Sequence, residues 1–320
     1  MKILMFGRGV ITTQYAWALE KAGNSVEFYV RPGRIAQYGP SVNLDILDGR
    51  RKPGDRCVKE VWPHVLRDSL DGNHGYDLIF LSVGPDKFAQ AAAFLGPRVG
   101  KATVLVFDNF LSDPRGATAV LPSSQLVWGF PGGGGGFDEA GVLKGGFMKL
   151  VFLGTFGTRP SDRDRAVGRL FREAGFSISA SRDFGSWLRF HFLLDAAFGA
   201  ETLKAGGIAE AMDSGVSSRN MVLGLRELVP LAKARGGRIE PWALGILLGL
   251  PAGLVGFLMN RAAFRKGSLA RTFMEGFALG RAGLTEMKMY PRETLAEARR
   301  LGIPVPRLEA AEALFREEHR

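Results

Sequence analysis

Cysteine occurs once in the 320 residues, as Cys57. That excludes an intrachain disulfide framework and any CxxC metal site, and it makes a reducing, cytoplasmic setting the expectation. Histidine is almost as scarce. His64, His74, His191 and His319 are scattered singly, no metal-ligand spacing survives that count, and no metal is expected. Acid is the charge in deficit, with 32 Asp and Glu against 42 Lys and Arg and a net charge of +10. The excess is spread along the chain without a long basic block or an aromatic stripe, which argues against nucleic acid and for a small anionic ligand. Disorder and coiled coil are excluded by 46% hydrophobic and 23% charged residues.

Long apolar runs are also few. Met1–Phe6 meets glycine after four apolar residues, too short for a secretory core of about 7 to 15, so the start reads as structural. The exception is Pro241–Asn260, which carries no charge but holds four glycines and Pro251. Those breakers favour a buried helical hairpin or a subunit contact, as in a homodimer, over membrane attachment.

What is present is an alternation of strand and helix patterns, the order of a parallel sheet with helices on its faces. Strands are expected at Lys2–Phe6, Ser25–Val30, Leu78–Val83, Thr103–Phe107, Leu126–Trp128, Phe147–Leu153 and Phe176–Ala180. Helices are expected at Thr13–Ala22, Lys87–Leu95 and Asp162–Ala174. Gly129–Gly146, with five consecutive glycines, is expected to be a mobile loop. Beyond about Asp183 helical patterns take over, at Trp187–Ala200, Val216–Ala234 and Arg292–Leu301. The expected architecture is α/β: a Rossmann-type parallel-sheet domain over 1–182 and an all-α domain over 183–320.

Gly7-Arg8-Gly9-Val10-Ile11-Thr12 follows an apolar strand and opens a helix, the context of a dinucleotide fingerprint. Gly7 permits the tight turn and Gly9 the approach of a pyrophosphate to the helix N-terminus, with Val10 and Ile11 in the first turn. Thr12 replaces the usual third glycine; it either spaces helix from sheet or offers its hydroxyl to a phosphate. Val83, at the end of a neighbouring strand, is placed in the same groove. The strand over 25–30 ends in Arg31-Pro32-Gly33-Arg34 rather than an acid, so Arg31 and Arg34 suit a 2′-phosphate and the expected cofactor is NADP(H).

These residues resemble the ketopantoate reductases, or 2-dehydropantoate 2-reductases. MKILMFGRGVITTQYAWALEKAG followed by VEFYVRPGR is similar to the family's opening strand, loop, helix and basic turn, and Thr285-Glu286-Met287 through Gly302-Ile303-Pro304-Val305-Pro306 to its last helix. Phe107-Asp108-Asn109 resembles its asparagine loop beside the nicotinamide. The resemblance implies an NADPH-dependent reduction of a small 2-keto acid or related ketone, as in pantothenate biosynthesis. It also implies a helical substrate and dimerisation domain, and an active cleft between the two domains. Glu286 matches the family glutamate that helps hold substrate. The family's proton-donating lysine falls at Arg189, and its asparagines further along that helix fall in Leu193-Leu194-Asp195-Ala196-Ala197. A second lysine, usual after the strand near Val83, is replaced by Gly84-Pro85-Asp86-Lys87.

Ketone reduction needs a hydride, a proton and positive charge near the forming alkoxide. Arginine stabilises charge but donates protons poorly. His191 is then the natural donor, Arg189 a clamp for a carboxylate, and Asn109 a partner for the nicotinamide amide or the substrate. Two residues apart on a helix point about 200° from one another, so one of Arg189 and His191 is expected to be structural. The departures point to a substrate other than ketopantoate, bulkier and more apolar. The rival reading is a non-catalytic NADPH-binding redox sensor or partner-binding protein.

Overall fold

The computed structural model describes residues 1–279 and 281–316, with the side chains of 281 and 282 excepted; His319 lies outside them. The architecture is mixed α/β, with a largely parallel N-terminal sheet and a helical C-terminal region. Two compact units divide it. One comprises Met1–Asp108 and Asp113–Phe184; the other comprises Gly185 onward together with Asn109–Ser112.

In the first unit, strands β1 (Lys2–Phe6), β2 (Ser25–Tyr29), β3 (Ser41–Gly49), β4 (Cys57–Pro63), β5 (Val65–Arg67), β6 (Leu78–Leu81) and β7 (Thr103–Phe107) are followed by β8 (Leu126–Phe130), β9 (Gly133–Phe137), β10 (Leu143–Met148), β11 (Leu150–Gly154) and β12 (Ser177–Ser181). Eight form one sheet in the order β12-β11-β8-β7-β6-β1-β2-β5, in which only the β8–β11 pairing is antiparallel. Its central strands β6 and β7 are buried at every position, which is why 78–81 and 104–107 read as unbroken apolar runs. Helices Val10–Glu20, Pro85–Leu95 and Asp162–Glu173 flank it, the last closed by a capping box between Ser161 and Asp164.

A second sheet, β4-β3-β10-β9, corrects the expectation of a loop over Gly129–Gly146. The glycine run forms β9, antiparallel to β10. Glycine is required there by proximity: a Cβ at Gly133 would lie 2.7 Å from the Gly146 carbonyl oxygen, and one at Gly135, where φ is +155°, would collide with that of Lys144. The sheet covers the Val10–Glu20 helix, which donates from Gln14 Nε2 to the Gly134 carbonyl at 3.0 Å, while Tyr15 Oη accepts from Gly132 N at 3.1 Å. The expected strand over Phe147–Leu153 is two strands in different sheets, and the chain crosses between them at Lys149. The first helix begins at Val10 rather than Thr13 because Gly9 caps it.

In the second unit, the Phe184–Ala205 helix is the axis, with Phe190, Phe192, Leu193, Ala196, Ala197 and Ala200 buried. Helices Gly215–Ala234 and Arg281–Arg300 pack on it. Pro291 lies inside the latter and cannot donate to the Met287 carbonyl, which lies against Gly199 instead; a Cβ there would sit 2.7 Å from it. The uncharged segment forms a hairpin of two helices, Trp242–Gly249 and Ala252–Ala262, broken at Pro251. The expectation of burial within the chain's own core is not met, since Trp242, Ile246, Leu247, Leu254, Phe257 and Leu258 are exposed. No described helix is long and apolar enough to cross a membrane.

Candidate functional site

Two clusters of polar side chains arise from the expected residues, one in each unit. The first lies at the carboxyl ends of β1, β2 and β6, where the strand order turns and where open α/β sheets hold ligands. Gly7 leaves β1 with φ +90° and donates to the Tyr29 carbonyl at 2.9 Å. A Cβ on it would touch Val83 at 3.9 Å, so Val83 lies against this turn. Thr12 neither wedges the helix off the sheet nor turns outward. It is fully buried, its Oγ1 accepts from Gly9 N at 2.8 Å, and it donates to the Gly9 carbonyl at 3.1 Å. The Gly9 amide is therefore spent on the cap, and the first-turn amides of Val10 and Ile11 remain as the helix-end donors.

The basic turn divides the roles of its two arginines. Arg31 is exposed, whereas Arg34 is half-buried with its guanidinium 5.7 Å from the ring centre of Tyr38. On Tyr38 also rests Arg8, at 5.0 Å, and Phe137, from the end of the glycine strand, closes on Arg8 at 5.1 Å. Among the described residues the buried Nε atoms of Arg8 and Arg34 have no hydrogen-bond partner. Burial lowers the pKa of Arg8, offset in part by Tyr38. His64, half-buried against Phe28 and Trp62, is held below the ordinary histidine value by its burial and then by Arg8. Buried cationic donors left unsatisfied are costly unless an anion completes them, so this cluster fits a phosphate group. Sequence reasoning named Arg31 and Arg34 but passed over Arg8, Tyr38 and Phe137; the signal available for Arg8 was its place between the two loop glycines.

The second cluster belongs to the helical unit. Asn109, two residues beyond β7, is buried and donates through Nδ2 to Asp195 Oδ2 at 2.8 Å. His191 Nδ1 lies 3.0 Å from the same oxygen and 3.4 Å from Asn109 Nδ2. The helix supplies this pairing through its i,i+4 spacing, and Trp187 stacks on the imidazole with ring centres 5.2 Å apart. Asp195 thus orients His191, a role the sequence reading did not give it. Arg189 points elsewhere, as the helical period requires: its Nη1 lies against Gly237, where even a Cβ would crowd it. Glu286 is half-exposed, in the second turn of the Arg281–Arg300 helix. Lys87 is exposed, 3.8 Å from Asp86.

No family model matches the chain, and no curated protein matches it in sequence. Solved structures do match. D-mandelate dehydrogenase in complex with NADH superposes with a TM-score of 0.71 at 14% identity, covering 98% of this chain and 97% of that one. The chain has the ketopantoate reductase fold. A PanE/ApbA family ketopantoate reductase from Ralstonia eutropha JMP134 gives 0.66 at 17% identity over 98% and 97% of the two chains. A 2-dehydropantoate 2-reductase from Geobacter metallireducens GS-15 gives 0.65 at 19% identity over 98% and 99%. In this chain the Phe184–Ala205 helix carries His191 and Asp195 as a hydrogen-bonded i,i+4 pair.

Proposed function

We propose that the protein is an NADP(H)-dependent reductase of a 2-keto acid or related ketone, in which an Asp195–His191 pair does the work of the missing lysine. The observation that carries this reading is the hydrogen-bonded array of Asn109, Asp195 and His191 immediately after β7. D-mandelate dehydrogenase, a structure of the same fold, has been solved with NADH and anilino(oxo)acetate, which supports a nicotinamide cofactor here and an aryl-bearing or similarly bulky substrate.

The residues present fit the cofactor. Gly7, Gly9, Val10, Ile11, Thr12 and Val83 form the turn and helix end for the pyrophosphate, and Arg8, Arg31 and Arg34 hold the 2′-phosphate. When bound, the reduced nicotinamide supplies the hydride. Asp195 accepts the Nδ1 proton of His191, fixing the tautomer and stabilising the imidazolium, and His191 delivers the proton on Nε2 to the carbonyl oxygen. Asn109 holds Asp195 and borders the nicotinamide. Arg189 points away from His191 and stays outside this array, and Glu286 orients the substrate's polar substituent.

A panel of 2-keto acids with aliphatic and aryl side chains tests the proposal by NADPH absorbance. Consumption with at least one of them is the expected result. Tight NADPH binding with no turnover across the panel would instead favour the non-catalytic module.

A further inference from the structure

The hairpin of Trp242–Gly249 and Ala252–Ala262 is fixed on one side and bare on the other. Ala252, Val255 and Gly256 are buried on the Gly215–Ala234 helix, with Gly256 so close that a Cβ would lie 2.8 Å from Arg219 N. Ser218 donates to Asn260, and Arg226 to the Leu250 carbonyl at the turn. The opposite face presents Leu254, Phe257, Leu258 and Arg261 at helical spacing, with Phe257 59% exposed, and the preceding helix adds Trp242 at 72% and Ile246 at 58%. An apolar stripe of this size on a firmly anchored element marks an interaction surface.

Charge decides the partner. From Pro241 to Met274 the sequence contains no Asp or Glu. Its basic residues are Arg261, Arg265 and Lys266, all exposed where the apolar stripe ends, and Arg271, which is buried and paired with Asp213 and Glu275. A self-complementary contact would bring this edge to a surface of the same composition, with no acid in the stretch to meet it. An anionic bilayer supplies both missing complements, a hydrocarbon boundary for the stripe and negative headgroups for the three cations. The tryptophan at the first helix's start suits the headgroup level.

We propose that this hairpin seats the protein peripherally on an anionic lipid bilayer. The inference does not depend on the reaction assigned above. Its test uses the full chain with vesicles of phosphatidylcholine, with and without phosphatidylglycerol. Flotation should show binding at least about tenfold tighter when phosphatidylglycerol is present, a preference lost at high salt. Trp242 gives a second readout, because the other four tryptophans, Trp17, Trp62, Trp128 and Trp187, are buried. Acrylamide quenching of the wild type should fall on vesicle binding. Leu254→Glu with Phe257→Glu should abolish binding, and Arg261→Gln with Arg265→Gln and Lys266→Gln should remove the lipid preference without touching the apolar stripe. No vesicle binding, with Trp242 still open to quencher, would overturn the proposal. So would a concentration-dependent dimer in sedimentation velocity that shields Trp242 and is dissociated by the glutamate pair.

Discussion

Arg50 and Arg8 sit in similar aromatic cages and have opposite hydrogen-bonding fates. Arg50 lies over Trp17, Phe147 and Phe176 at 5.6, 5.3 and 5.0 Å and is fully engaged: Nε and Nη2 donate to Asp48 at 2.9 and 2.8 Å, and Nη1 donates to the Ala174 carbonyl at 2.7 Å. Arg8 lies over Tyr38 and Phe137, and its buried Nε meets no acceptor among the described residues. A guanidinium that closes its own hydrogen bonds holds the fold together. One that does not is placed for something outside the chain.

The comparison is broken most strongly by exchanging the effects. Arg50→Ala strips the nearly inaccessible Asp48 of its bidentate partner, leaving Arg51 at 3.2 Å and the backbone amide of residue 50, and should cost about 3 kcal/mol in denaturant unfolding while leaving the NADPH affinity of the folded fraction intact. Arg8→Ala and Arg34→Ala should each weaken NADPH by about tenfold in calorimetry, NADH by far less, with little loss of stability. If Arg8→Ala unfolds the protein as readily as Arg50→Ala, the two cages do the same job. Arg31, being exposed, should contribute less, about threefold. The smallest effect is on His64: removing Arg8 takes away one of the two causes that depress its pKa, so the imidazole titration followed by NMR should move upward in Arg8→Ala and upward again in the wild type when the phosphate dianion of NADPH arrives.

Which parts of this were legible depended on whether local chemistry or distant packing set the residue. Thr103–Phe107 was readable to the residue, because the four consecutive apolar side chains Val104, Leu105, Val106 and Phe107, buried on both faces, leave no other interpretation. The Asp162–Glu173 helix was legible from its helical pattern, with its end expected one residue later, at Ala174. The second sheet did not, because β9 is built from glycines whose need for space comes from β10 and the first helix rather than from their own neighbours. Nor did β3 and β4 register as strands, although Val42, Leu44 and Ile46 alternate inward, since Asp45 and Asp48 interrupt the apolar signal. Pro291 hid the first half of the last long helix by suggesting a boundary that Gly199 and the packing override. At the site, the glycine turn was legible from its residues. Asp195 read as the loss of an asparagine, while its i,i+4 spacing from His191 was the overlooked clue.

The kcat for keto-acid reduction, compared between the wild type, His191→Asn and Asp195→Asn, tests the central claim most directly. His191 delivers the proton and Asp195 orients it, so both variants should lose turnover while keeping their affinity for NADPH. His191→Asn should lower kcat by about 10² to 10⁴, and Asp195→Asn by less, because the imidazole stays but loses the carboxylate that fixes its tautomer. Turnover undiminished in His191→Asn would contradict the assignment of the proton to His191.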